Sequence, residues 1–252
     1  MSVTTSAMRL SISLPLALVL ASCGSDVEAP AAGQVSAQPL ANVPAPQGQR
    51  WSEMVTQTAD GGYLVGNPDA PVKLLEFGAM SCPHCADFVE NSFEPLMNTY
   101  VDSGRVSYEL RFFLLNALDM PATLLATCST PETTLPLAKE IWANLPQFFD
   151  AATTAGDPAL QQAMALPAQQ RFTRLGDLLG MTQFVTARGI SRDQAVSCLS
   201  NEAKAEELAN RVEAEAARYD ITGTPTFLLN GSKIDALTWP QVETALQNAG
   251  AR

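Results

Sequence analysis

Val72-Lys73-Leu74-Leu75-Glu76-Phe77-Gly78-Ala79-Met80-Ser81-Cys82-Pro83-His84-Cys85 is the stretch that decides the fold. Its first half is almost continuously apolar, the pattern of a central strand covered on both faces. Its second half opens a helix, because Phe88, Val89, Phe93, Leu96, Met97, Tyr100 and Val101 recur at helical spacing through residue 103. Val106 to Leu115 reads as the next strand. Strand, helix, strand predicts a right-handed crossover joining a parallel pair.

The chemistry sits at the strand-to-helix junction. A helix start leaves backbone N–H groups unpaired and carries the positive end of the helix dipole, so it favours an anion. A thiolate is that anion, and the ionisation of Cys82 is expected to become easier. His84, protonated or donating a hydrogen bond, would ease it further. A stabilised thiolate favours the reduced pair, which makes the Cys82–Cys85 disulfide a strong oxidant and Cys82 a good leaving group. Cys82 is the expected nucleophile and Cys85 the buried resolving thiol. A zinc site needs four ligands, whereas the chain has no second C-x-x-C and His84 is its single histidine. A purely structural bridge between these neighbours would remove little chain entropy. A copper carrier using the two thiolates is the other rival. No resident metal or organic cofactor is expected.

Working outward, Asp60-Gly61-Gly62 and Asn67-Pro68-Asp69-Ala70-Pro71 are turn signals upstream of the strand. Downstream, residues 117–219 have helical periodicity broken by six prolines, ending in a longer helix over roughly 191–219. Pro225-Thr226-Phe227-Leu228-Leu229 reads as a strand, and Asn230-Gly231 as a hairpin turn. A short strand and a helix over Trp239–Asn248 close the chain. Proline before a strand, as in Thr224-Pro225, is compatible with a cis peptide.

The N-terminus reads as an address. Arg9 precedes an apolar run from Leu10 to Leu20, followed by Ala21-Ser22-Cys23. The run contains Pro15 and falls short of the ~20 residues that span a bilayer. Leu20-Ala21-Ser22-Cys23 resembles the lipobox of bacterial lipoproteins, which implies lipidation at Cys23 and anchoring to a membrane. Residues 24–50 hold four Pro, six Ala, four Gln and three Gly, with little to bury, and read as a tether.

Hydrophobic residues make up 46% and charged residues 16% of 252, so most of the chain can build a core. The formal charge of -11 disfavours nucleic acid as a partner.

A strand, C-P-H-C at a helix start, a second strand, a helical block and then T-P-T-F before a hairpin resemble the DsbA family of periplasmic thiol oxidases. The lipobox narrows the likeness to the DsbA-like proteins of alphaproteobacteria. The resemblance covers about residues 62–250 and implies an α/β architecture, a thioredoxin fold interrupted by an inserted all-helical subdomain. Its expected segments are a signal peptide (1–22), an anchor and tether (23–50), a first thioredoxin part (51–116), the helical insert (117–200) and a second part (201–252). It implies that Pro225 is a cis-proline beside the disulfide and that the Thr224 backbone pairs with an extended substrate. Glu76, six residues before Cys82, matches the family's buried acid, which would exchange a proton with Cys85. Thr224 stands where the familiar enteric member has Val and related isomerases have Thr, so oxidase and isomerase or reductase activity both stay open.

With Cys23 lipidated and Cys82 paired to Cys85, Cys128 and Cys198 remain. In an oxidising compartment they are expected to pair, with two separate buried thiols as the alternative. The resemblance implies reduced or misfolded secreted proteins as substrates, a quinone-linked membrane oxidase as partner, and a periplasmic, lipid-anchored monomer.

Overall fold

In the computed structural model, which describes residues 38–252, the deciding stretch folds as a strand and then a helix. A hairpin comes first, β1 (Val55–Gln57) and β2 (Tyr63–Gly66), turning at Asp60-Gly61-Gly62. Strand β3 (Val72–Ala79) follows, with only Lys73 exposed, then helix α1 (Pro83–Pro95) and strand β4 (Val106–Phe113). β3 and β4 pair in parallel with Val72 opposite Val106, as the crossover requires. Between α1 and β4 the chain widens into a π-type segment, Leu96–Val101. A continuous α-helix to residue 103 does not form, because Pro95 has no N–H to continue the ladder.

After β4 the chain leaves the sheet for seven helices: α2 (Asp119–Ala126), α3 (Pro131–Ala143), α4 (Leu145–Ala155), α5 (Asp157–Met164), α6 (Ala168–Leu178), α7 (Met181–Thr186) and α8 (Arg192–Leu199). Pro131, Pro146 and Pro158 each stand in a first helical turn, where a missing N–H costs nothing. The long final helix expected over 191–219 is two helices, α8 and α9 (Glu202–Tyr219). They part at Asn201, whose side chain accepts from the Lys204 N–H at 3.0 Å and so starts a new helix.

The chain then re-enters the sheet through β5 (Thr226–Leu229) and β6 (Ser232–Ile234) and ends on α10 (Trp239–Asn248). The six strands lie in the order β1-β2-β4-β3-β5-β6, so β3 and β4 are central. Arg111 on β4 ties down α9 by an ion pair to Glu215 at 2.7 Å, while its pairs with Glu109 at 2.8 Å and Asp60 at 2.9 Å join it to its own strand and to the β1–β2 turn. Phe88 of α1 packs on Phe227 of β5, ring centroids 4.6 Å apart, with Trp239 of α10 behind it. The insert docks on the sheet through Trp142, whose indole N–H donates to the Ala79 carbonyl at 3.0 Å.

Cys128, just past α2, is bonded to Cys198 in α8, with Cα atoms 5.7 Å apart. Closing that seventy-residue loop stabilises the fold by roughly 4 kcal/mol on the loop-entropy argument.

Residues 38–50 do not hang free as a tether would. The Leu40 N–H donates to the Gly250 carbonyl at 2.9 Å, and the Val43 N–H to Ser103 at 2.8 Å. Gly104 (φ 71°) makes this possible, since a side chain there would overlap the Val43 carbonyl, which accepts from the Trp51 indole at 2.7 Å. A composition poor in large apolar groups still docks when its backbone finds partners. The signal peptide and Cys23 lie outside the described residues. Among the described residues no helix is long and apolar enough to cross a membrane.

Candidate active site

The parallel register places the ends of β3 and β4 side by side, and the chain turns from β3 into α1 through Met80-Ser81-Cys82. Cys82 is the N-cap of α1, and its Sγ accepts from the Cys85 backbone N–H at 3.2 Å. The sulfur thus takes the capping role that Ser or Asp usually fills. Cys82 is 3% exposed and Cys85 wholly buried, and both are free thiols.

These surroundings pull the two cysteines apart. The Cys85 thiol, the Thr224 hydroxyl and the backbone N–H groups of Cys85 and His84 surround the Cys82 sulfur and favour its thiolate. Against the opposing pull of burial they bring its pKa down to about 6. Burial, followed by the neighbouring Cys82, pushes the Cys85 thiol far above the usual range. At neutral pH the reduced pair therefore holds one thiolate, on Cys82. His84 is exposed, and its contribution to that thiolate runs through its backbone N–H. No hydrogen bond joins the imidazole to Cys82, so of the two routes expected from the sequence, charge and hydrogen bonding, the ring keeps the first.

Thr224 and Pro225 come from the other half of the fold. The peptide between them is cis, and the Cys82 thiol donates to the Thr224 carbonyl at 3.2 Å. The buried Thr224 hydroxyl makes no hydrogen bond of normal length, yet stands close enough to both sulfurs to favour their thiolates. β5 pairs antiparallel with β3, which brings the start of β5 to the same sheet end as Cys82.

Glu76 lies in the middle of β3, wholly buried beneath Cys85. Burial raises its pKa to about 8 against the pull of a hydrogen bond from Tyr108, whose phenol donates to Oε2 at 2.6 Å. Oε1 has no partner. Gly78 keeps that oxygen uncovered, since a Cβ there would come within 3.1 Å of it. Tyr108 was not singled out from the sequence. Only the folded register brings it there: Leu74 lies opposite Tyr108 and Glu76 opposite Leu110, which puts Tyr108 on the Glu76 face.

Asp119 was also missed. Buried at the start of α2, it accepts from the Ser81 N–H at 2.7 Å and from the Leu115 and Asn116 N–H groups at 2.7 and 2.8 Å. It ties the loop before Cys82 to the first helix of the insert. No local pattern marks it, because Ser81 and Asp119 meet only in the folded chain. Cys128 and Cys198 stand together in the insert, apart from this site. Among the described residues no group of three or more potential metal ligands occurs.

Comparison with known proteins matches this geometry. The family model described as thioredoxin aligns with residues 58–248. A protein of Rickettsia bellii, provisionally named a protein-disulfide oxidoreductase, is 22% identical over 190 residues, covering 75% of this chain and 65% of that protein. The chain thus spans just under two thirds of that relative's length. A solved protein-disulfide isomerase from Novosphingobium aromaticivorans superposes with a TM-score of 0.71 and 28% identity, over 75% of this chain and 97% of its own. Wolbachia pipientis alpha-DsbA1 superposes with a TM-score of 0.59 at 19% identity, over 75% and 89%. The C-x-x-C helix start, the facing proline loop and the helices set between β4 and β5 have one common explanation: the chain belongs to the thioredoxin family, in the helix-interrupted form seen in DsbA-type structures.

Proposed function

We propose that this chain is a thiol:disulfide oxidoreductase of the bacterial cell envelope that donates a Cys82–Cys85 disulfide to reduced secreted proteins. The observation that carries the reading is the unequal ionisation of the two cysteines, Cys82 near 6 and Cys85 held protonated. A substrate thiolate attacks Sγ of Cys82 and the Cys82–Cys85 bond breaks. Cys85 leaves with the electron pair and takes a proton, for which Glu76, neutral below about pH 8, is the adjacent donor. A second substrate thiolate then attacks the substrate sulfur of the mixed disulfide and releases Cys82 as a thiolate. The substrate gains a disulfide and the protein is left as the dithiol.

The Thr224 backbone beside Cys82 suits pairing with an extended substrate chain. A quinone-linked membrane oxidase would restore the disulfide, and lipidation at Cys23 would anchor the protein, acting as a monomer, on the periplasmic side of a membrane.

A second reading, disulfide isomerase, is favoured by Thr224 before the cis-proline and by the name of the Novosphingobium protein. The test is the redox equilibrium with glutathione, run beside refolding of a reduced, denatured protein. An oxidase has a potential well above that of thioredoxin, about −270 mV, and forms disulfides without added oxidant. A potential at or below that value overturns the oxidase. Repair of scrambled disulfides without net oxidation selects the isomerase, and tight copper binding with neither activity selects the carrier.

A further inference from the structure

A second concavity opens beside the cysteines, of about 610 Å³, between α1 and the α3–α4 corner of the insert. It begins at Pro83, the residue next to Cys82, and runs along the outer face of α1 through Ala86 and Val89. Trp142, Leu145 and Phe149 form its opposite wall. No residue of the Thr224–Pro225 loop or of α10 lines it, so it is separate from the edge where a substrate backbone would pair.

Two features of its lining point to an occupant. Phe149 is 38% exposed although its neighbour Phe148 is fully buried, so a large aromatic ring faces the groove uncovered. The rim carries the exposed carboxylates of Asp87, Glu90 and Asp150, none of them in an ion pair among the described residues. The one cation there, Lys139, is already paired with Glu94 at 3.5 Å and lies over the Phe93 ring at 4.2 Å. An apolar floor inside an unneutralised acidic rim is complementary to a chain segment with a bulky apolar side chain and basic neighbours. An acidic segment would meet uncompensated like charge.

We infer that this groove is a substrate-docking site that selects unfolded polypeptide segments with an aromatic or large aliphatic residue flanked by Lys or Arg near the reacting cysteine. The inference rests on the oxidoreductase reading and names its preferred substrate class. Because the groove starts at Pro83, a segment seated in it lies within a few residues of Cys82.

The test uses the full chain and two synthetic peptides that share one reduced cysteine pair and one Phe. Lysines flank the Phe in one peptide and glutamates in the other. At low salt the lysine peptide is expected to be oxidised with a kcat/KM about tenfold above the glutamate peptide, mostly through KM. That preference should fall to about twofold or less in Phe149→Ser and in the combined Asp87→Asn, Glu90→Gln, Asp150→Asn variant. Equal rates in the parent protein, or a preference that survives both variants, overturns the proposal. If neither peptide is oxidised, the oxidoreductase reading fails. The groove is then judged by direct binding of the same peptides with their cysteines alkylated, where equal affinities reject it and a tenfold preference upholds it. A concentration-dependent dimer abolished by Phe149→Ser assigns the groove to a second copy and overturns the substrate role.

Discussion

The molecule holds two cysteine pairs, and the contrast between them shows how surroundings give one residue type two characters. Cys82 and Cys85 lie three residues apart at one helix start, are free thiols, and differ widely in their readiness to ionise. Cys128 and Cys198 lie seventy residues apart, join the end of α2 to α8, and are bonded to each other. A bridge across three residues constrains almost no chain, so its value is chemical. A bridge across seventy removes much of the freedom of the unfolded insert, so its value is mechanical.

The largest test of this contrast is Cys82→Ser, expected to lower disulfide transfer to a reduced protein by at least about 1,000-fold. Cys85→Ser should trap the mixed disulfide with substrate, seen as an adduct on non-reducing electrophoresis. Replacing Cys128 and Cys198 together by Ser should cost roughly 4 kcal/mol in urea unfolding. It should leave the alkylation midpoint of Cys82 near pH 6. A shift of that midpoint would show that the two pairs are coupled and break the contrast.

Glu76 sharpens it next. Its pKa in the folded chain, about 8, lies above its ordinary 4.5. Its stabilising state is the neutral one, so stability is greatest below pH 4.5 and declines as pH rises toward 8. Glu76→Gln removes that decline and is expected to stabilise the reduced protein at pH 7 by on the order of 3 kcal/mol. It should also slow protonation of the departing Cys85, seen as a weaker pH dependence of substrate oxidation. Cys82 titrates in the opposite sense. Its pKa is depressed, so its contribution to the reduced fold is present above about pH 8.5 and is lost as pH falls through 6.

Tyr108→Phe removes the Tyr108 hydrogen bond to the Glu76 carboxylate and should raise its pKa above 8 by about one unit, moving the pH dependence of substrate oxidation with it. The smallest effect is expected for His84→Ala. With the imidazole exposed and the backbone N–H making the contact, the Cys82 midpoint should move by less than about half a unit. A larger shift would restore the role that the sequence assigns to the ring.

Local pattern was enough for several features. The apolar run of β3, the helical spacing after Pro83 and the Asn230-Gly231 turn are read from neighbours a few residues apart, and each reflects a preference the chain carries wherever it folds. The position of Cys82 at a helix start, and hence its easy ionisation, followed from the same local reading. Other features depended on residues that meet only after folding. Tyr108 reaches Glu76 because parallel pairing sets the register, and Asp119 reaches Ser81 because the insert turns back onto the sheet. Residues 38–50 dock through backbone groups, which composition does not encode. The exposed place of His84 was likewise decided in three dimensions, since a side chain's direction depends on what packs around its helix. Sequence determined where a thiolate would form, while tertiary structure decided which groups surround it, because desolvation and hydrogen bonding act through space and not along the chain.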